Sequence, residues 1–243
     1  MPNESTFNRR VIEYKLDHKE SHLKILSDLD LKEETLEKLR DVYRQVEEQI
    51  SREPLFQTSY SPIKVKNNTS GIISRMLDAS IKADVGPMAA IAGTVAESIG
   101  KFLLDKGARE VIVENGGDIF VRIEEEKEVG VHAGNSPWSN RIVLKIKPGE
   151  TPLGICTSSS TVGHSINLGE VDAVTVVARS TALADAAATA IGNHVKGKKG
   201  VEKAIQFGEK IGGINGFLII KGETLAVWGK IPELVKKEFD VER

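Results

Sequence analysis

Between Gly154 and Asn193 the chain reads GICTSSSTVGHSINLGEVDAVTVVARSTALADAAATAIGN, and its chemistry is carried mostly by oxygen. Thr157, Ser158, Ser159, Ser160 and Thr161 place five hydroxyls in a row, followed by Val162, Gly163 and His164. A core has no use for such a run. Short polar side chains ending at glycine let the backbone turn tightly and offer an anion several N–H and O–H donors. Asp185 and Thr189 stand four residues apart in an alanine-rich segment, so on a helix a carboxylate and a hydroxyl share one face. His164 is a candidate general base, with a structural hydrogen-bonding role as the alternative. Cys156, the only cysteine, directly precedes the hydroxyl run. Backbone N–H groups there could favour a thiolate, while a small buried hydrophobe at a strand end is the plainer reading.

The second informative stretch is Asp84 to Asp118, DVGPMAAIAGTVAESIGKFLLDKGAREVIVENGGD. Asn115-Gly116-Gly117-Asp118 carries the commonest hairpin signal, with Val111 to Val113 and Ile119 to Ile123 as the two strands. The same glycine pair would let a ligand meet bare backbone beside the Asp118 carboxylate. Ala83-Asp84 before PMAAIAG echoes Ala184-Asp185 before AAATAIG, a similarity that alanine-rich helices also produce by chance.

Helices and strands must position these groups. Val11 to Leu16 alternates as an edge strand, with His22 to Leu29 as its hairpin partner. Leu36, Leu39, Tyr43, Val46 and Ile50 make Leu31 to Glu53 an amphipathic helix, with Asp30 and Glu33 placed as cap and reciprocal partner. A second helix spans Ser70 to Lys82. Pro87 suits the first turn of a third, whose core stripe is Met88, Ile91, Val95, Ile99 and Leu103 and whose stop is Gly107. Ala173 to Ala178 reads as a buried strand leading into a helix that Ser180 or Thr181 could cap. Trp138, in a loop, either covers a pocket or packs. Arg141 to Lys147 is a strand, Gly200 to Lys210 a helix, Phe217 to Trp228 a hairpin, and Pro232 opens a terminal helix. Without regular βαβ alternation, these elements predict an α+β (mixed α/β) fold with mixed sheets and packed small-residue helices.

The chain has 243 residues, 40% hydrophobic and 28% charged, the composition of an ordinary globular protein. No linker interrupts it, which predicts a single domain over 1–243. The net charge of -2 gives no basis for nucleic-acid binding, and the locally basic Lys196 to Lys203 reads as a solvated loop. A lone cysteine, a polar N-terminus and apolar runs short of the roughly 20 residues of a membrane span predict a cytoplasmic protein without membrane contact. Small-residue helices would permit a homodimer.

At its two informative stretches the sequence resembles the ApbE superfamily, the FAD:protein FMN transferases, and most closely a cytoplasmic branch of it. The resemblance covers residues 84–228. Asp84-Val85-Gly86 stands where the transferases have an Asp-Leu-Gly-Gly-Ile-Ala-Lys-Gly helix start, and Gly116-Gly117-Asp118 where they have Gly-Gly-Asp or Gly-Gly-Asn. Thr157-Ser158-Ser159 stands at their Thr-Ser-Gly turn, and His164 at their His-x-x-Asp-Pro element. Ala184-Asp185-Ala186 with Thr189 stands at their Ala-Asp-Ala-x-x-Thr helix. The resemblance implies that Asp185 and Thr189 bind Mg²⁺, and that Asp84, Gly116, Gly117, Asp118, Thr157, Ser158 and Ser159 line a pocket for FAD or a related nucleotide. It also implies an acceptor protein, whose threonine receives FMN. The departures are Ala90 at the lysine position and no Asp-Pro after His164. Three readings follow: a Mg²⁺-dependent flavin or nucleotide transferase, a non-catalytic module for a small anionic ligand, and thiol chemistry at Cys156.

Overall fold

The computed structural model of the protein describes residues 10–65, 71–159 and 169–237. An eight-stranded sheet runs in the order β1-β2-β3-β4-β7-β8-β9-β10. Its strands are β1 (Ile12–His18), β2 (Ser21–Ser27), β3 (Val111–Asn115), β4 (Asp118–Arg122), β7 (Leu153–Ser158), β8 (Ala173–Ala178), β9 (Ile214–Lys221) and β10 (Thr224–Gly229). A three-stranded sheet, in the order β11-β6-β5, is made of β5 (Lys127–Val131), β6 (Ile142–Ile146) and β11 (Glu233–Lys236). Every pairing among the described residues is antiparallel, so the sheets are not mixed in direction as expected. Hairpins join β1 to β2, β3 to β4 and β9 to β10, and two helices between β8 and β9 return the chain to the end of the sheet it left.

The period-two alternation of the strands divides the apolar residues between two cores. Leu23, Ile25, Val113, Phe120, Val176 and Phe217 face one core with the helices. Val121, Ile155, Val177 and Leu218 face the other, which the small sheet closes with Leu144 and Ile146. β8 is buried along its whole length, which is why its sequence is a continuous apolar run. The result is three layers: helices, large sheet, small sheet.

The helices are α1 (Lys32–Arg52), α2 (Leu55–Thr58), α3 (Gly71–Ala83), α4 (Ile91–Asp105), α5 (Thr181–His194) and α6 (Gly200–Gly208). A 3-10 turn over Pro87–Ala90 leads into α4, and Gly107, at φ 95°, ends it. The start of α1 corrects the sequence reading: Leu31, not Asp30, stands at the N-cap and makes no side-chain cap bond. Leu31 packs against the main core, which fixes the helix start one residue later than the capping pattern suggests. The terminal helix at Pro232 is also corrected. Glu233–Lys236 is instead β11, because Leu234 and Val235 complete the small sheet along the free edge of β6. Trp138 packs rather than covering a pocket, its Nε1 donating to the Glu223 carbonyl at 2.8 Å.

α5 lies directly on β7, and Gly154 makes that possible. A Cβ at 154 would sit 2.5 Å from Thr181 Cα, so any side chain there would push α5 off the sheet. Gly154→Ala is expected to lose about 1–3 kcal/mol of stability through overpacking. Urea denaturation checks this, and an unchanged midpoint would contradict the close approach.

Candidate functional site

The β3–β4 hairpin brings the first site residues into place. Gly116 and Gly117 have φ of 63° and 104°, the two consecutive positive values that a tight hairpin turn needs, and Asn115 pairs with Asp118 across it. Asn115 fastens the turn to the helical layer, its Nδ2 donating to the Ala92 carbonyl at 3.2 Å and to Ser21 Oγ at 3.1 Å. Ser21 Oγ in turn meets the Tyr43 hydroxyl at 2.9 Å.

Asp118 lies opposite Cys156 in the pairing of β4 with β7, and both face the helices. The hydroxyl run begins inside β7 rather than in a loop, so strand alternation sorts it. Thr157 turns to the far face, where its Oγ1 meets Thr175 Oγ1 at 2.8 Å, while its backbone N–H donates to the Gly117 carbonyl at 3.2 Å. Ser158 and Ser159 are buried. His164, Ser160 and Thr161 lie outside the described residues.

Ser180 caps α5 as expected, accepting from Leu183 N–H. One turn in, Asp185 is half-buried and its Oδ2 accepts the Gly93 N–H at 2.8 Å. Gly93 belongs to the first turn of α4, whose N–H groups have no partner within their own helix. A Cβ at Gly93 would stand 2.4 Å from the Thr181 carbonyl oxygen and 2.7 Å from Asp185 Cβ, so this crossing also requires glycine. Thr189 follows one turn after Asp185 and is half-buried.

Two carboxyls and a thiol are gathered here. Burial pushes the Asp118 carboxyl up to about 7, opposed in part by the neighbouring Cys156 side chain. Burial and the Asp118 charge push Asp185 well above 3.8, with the N–H groups of Gly93 and Ala92 pulling the other way. Burial and both carboxylates raise the Cys156 thiol well above 9.0. Its Sγ lies 3.4 Å from the Thr181 carbonyl oxygen, to which it donates. The environment therefore opposes a thiolate, and the thiol reading is corrected: the carboxylates and burial outweigh the backbone N–H groups.

Asp118, Cys156 and Asp185 thus come together, with the Gly116-Gly117 turn and the end of β7 beside them. Asp84 does something different. It is exposed at the C-terminal end of α3 with φ 56°, the left-handed conformation that ends a helix. Its setting has nothing in common with that of Asp185 inside α5, so the sequence echo is not a structural repeat. Ala90, at the resembled lysine position, is fully buried in the 3-10 turn.

Sequence reasoning passed over Glu97. This α4 residue is 2% exposed, and its Oε2 accepts from Ser180 Oγ at 3.1 Å, Thr181 N–H at 2.8 Å and Ala182 N–H at 3.2 Å. Lys101, one turn on, pairs with its Oε1. The available signal was a single acid set among the small and apolar residues of GTVAESIG.

Oxygen donors of this kind suit a hard cation. Among the described residues no group of three or more His, Cys, Asp or Glu is placed to hold a metal ion. A Mg²⁺ ion here would therefore complete its shell with hydroxyl, carbonyl and water oxygens, as Mg²⁺ commonly does. Also among the described residues, no helix is long and apolar enough to cross a membrane.

This layered architecture is the ApbE fold. The flavinyl transferase ApbE of Pseudomonas stutzeri, in its apo form, matches it with a TM-score of 0.59 over 93% of this chain and 96% of that one, at 14% identity. The chain matches the family model described as AbpE bacteria over residues 4–207 and belongs to that family. A UPF0280 protein of Methanococcus maripaludis is 44% identical over 197 residues, covering 79% of this chain and 80% of the relative. A UPF0280 protein of Methanocella arvoryzae is 35% identical over 243 residues, covering 100% of this chain and 98% of the relative.

Because the folded Asp118 holds its proton more tightly than the unfolded residue, stability from this group is full below 3.8 and falls as pH rises toward about 7. Asp118→Asn is therefore expected to be more stable than wild type at pH 8, by roughly 1–3 kcal/mol, and equal to it near pH 4. Thermal melts across that range decide the matter, and a constant difference would refute the buried-charge account. Cys156 is expected to resist iodoacetamide in the folded protein and to react once urea unfolds it, followed by mass spectrometry. Rapid native labelling would mean that the thiol is open.

Proposed function

We propose that the protein binds FAD together with Mg²⁺ and transfers FMN to a hydroxyl of an acceptor protein. One observation carries the reading. Asp118 and Asp185, from segments that resemble two separate transferase motifs, lie near enough for the charge of Asp118 to raise the Asp185 carboxyl, beside a bare-backbone turn.

In this reading Asp185 and Thr189, with Asp118 close by, would hold the cation, which offsets pyrophosphate charge when bound. Gly116 and Gly117 leave the turn open to the ligand, and Ser158 and Ser159, buried at the end of β7, place hydroxyls beside it. Thr157 contributes its position rather than its hydroxyl, which is committed to Thr175 on the other face. In the transfer, a bond forms between the acceptor threonine oxygen and the FMN phosphorus as the bond from that phosphorus to AMP breaks. The hydroxyl proton passes to a base, for which His164 is the candidate. Positioning and charge stabilisation dominate such chemistry.

A second reading, a binding module without turnover, draws support from the buried Ala90, which leaves no cation at the position where the resembled transferases carry lysine.

Calorimetry with FAD tests the shared part of both. Mg²⁺-dependent binding is expected, weakened about 10–100-fold in Asp185→Asn, which retains an acceptor for Gly93. Absence of FAD binding with or without Mg²⁺ would end both flavin readings. Where binding occurs, release of AMP in the presence of a threonine-containing acceptor separates transferase from module.

A further inference from the structure

We propose that Glu97 is a positioning residue of the candidate site, setting where Asp185 stands by holding the first turn of α5 against α4. The inference rests on reading Asp185 as a ligand-binding group, but its geometry is independent of any ligand.

Glu97 and Gly93 are four residues apart, so they lie on one face of α4. The Glu97 carboxylate accepts the first two N–H groups of α5 and the Ser180 hydroxyl. The Gly93 N–H, in the first turn of α4, is accepted by Asp185 of α5. Each helix therefore supplies the carboxylate that caps the other, and the two contacts are one turn apart along the crossing. Losing the first frees the end of α5 to shift, and Asp185 sits only three residues beyond Ala182. Burial alone would raise the Glu97 carboxyl, yet hydrogen bonding and charge from Lys101, the Ala182 N–H and the Arg75 charge hold it below 4.5. The group stays ionised and continues to attract the α5 N-terminus, where the helix dipole favours a negative charge. No neutral side chain of the same shape supplies that attraction.

The test uses the full chain labelled with nitrogen-15. Glu97→Gln keeps the volume and removes the charge and one acceptor oxygen. It is expected to move the Gly93 amide resonance and speed its hydrogen exchange by about tenfold or more. Leu144→Ala, which opens a cavity in the small-sheet core, lowers stability from a distance and is expected to leave Gly93 unmoved. A Gly93 resonance unchanged in Glu97→Gln, or changed equally in Leu144→Ala, overturns the proposal. Should Glu97→Gln not fold, Glu97→Asp decides in the same way, since its carboxylate is one methylene short of α5.

The result is separate from the flavin reading. If the wild type fails to bind FAD, that reading falls and the Gly93 comparison still decides this one. If it binds, Glu97→Gln is expected to weaken FAD binding about 10–100-fold while Leu144→Ala does not, and equal affinities in the two variants would overturn the proposal.

Discussion

Two carboxylates, the buried Glu97 and the half-buried Asp185, reach across between α4 and α5, and the surrounding packing is arranged to let them. Asp185 of α5 accepts from the first turn of α4, and Glu97 of α4 accepts from the first turn of α5. The N–H groups they take have no partner within their own helices, so both bonds remove a cost as well as adding an attraction. The exchange needs the two backbones closer than side chains allow. Gly93 meets that requirement between the helices, and Gly154 meets it between α5 and the sheet. The small residues that crowd both helices in the sequence are thus the geometric condition for a polar contact, and not simply filler in a core.

The large sheet extends this constraint to the rest of the site. Because β8 is covered on both faces, neighbouring β7 is held between α5 and the small sheet, and its residues alternate between two unlike environments. Cys156 faces the carboxylates and Thr157 faces away, although they are adjacent in sequence. β4 places Asp118 opposite Cys156, so the position of this carboxylate follows from strand register. Burial then leaves Asp118 and Asp185 in a region where two negative charges are unfavourable together. Either a proton or a bound cation relieves that.

Much of the framework was legible because its signals are local. The amphipathic period of α1, the Asn-Gly turn, the apolar run of β8 and the Ser180 cap each depend on residues within one or two turns of each other. The errors lie where a distant partner decides. Leu234 and Val235 form a strand because β6 offers an edge, which no four-residue window reveals. The hydroxyl run was read as a loop from composition, whereas pairing with β8 makes its first two residues strand. Of the site, the motif positions brought Asp118 and Asp185 forward, but Glu97 was invisible to motif reading because the α5 groups it accepts from lie more than eighty residues away. Nor could sequence show that the position of the resembled lysine is buried.

The Glu97 contact also bears on where a nucleotide can sit. A helix N-terminus facing a cleft is a common seat for phosphate, since free N–H groups and the helix dipole both favour negative charge. At α5 that seat is taken by the protein itself: the Glu97 carboxylate engages Thr181 N–H, Ala182 N–H and the Ser180 hydroxyl, with Lys101 balancing its charge. An added phosphate would meet a fixed anion in place of a row of donors. The opposite arrangement holds one turn along α5 and at the β3–β4 turn, where Gly116 leaves open space and, among the described residues, Asp118 and Asp185 form no ion pair. A phosphate there would be repelled on its own and tolerated with a divalent cation between it and the carboxylates. On the proposed reading, the carboxylate that occupies the α5 N-terminus would direct an anionic ligand away from the helix end, toward the Asp118–Asp185 region, where a divalent cation would offset the like charges.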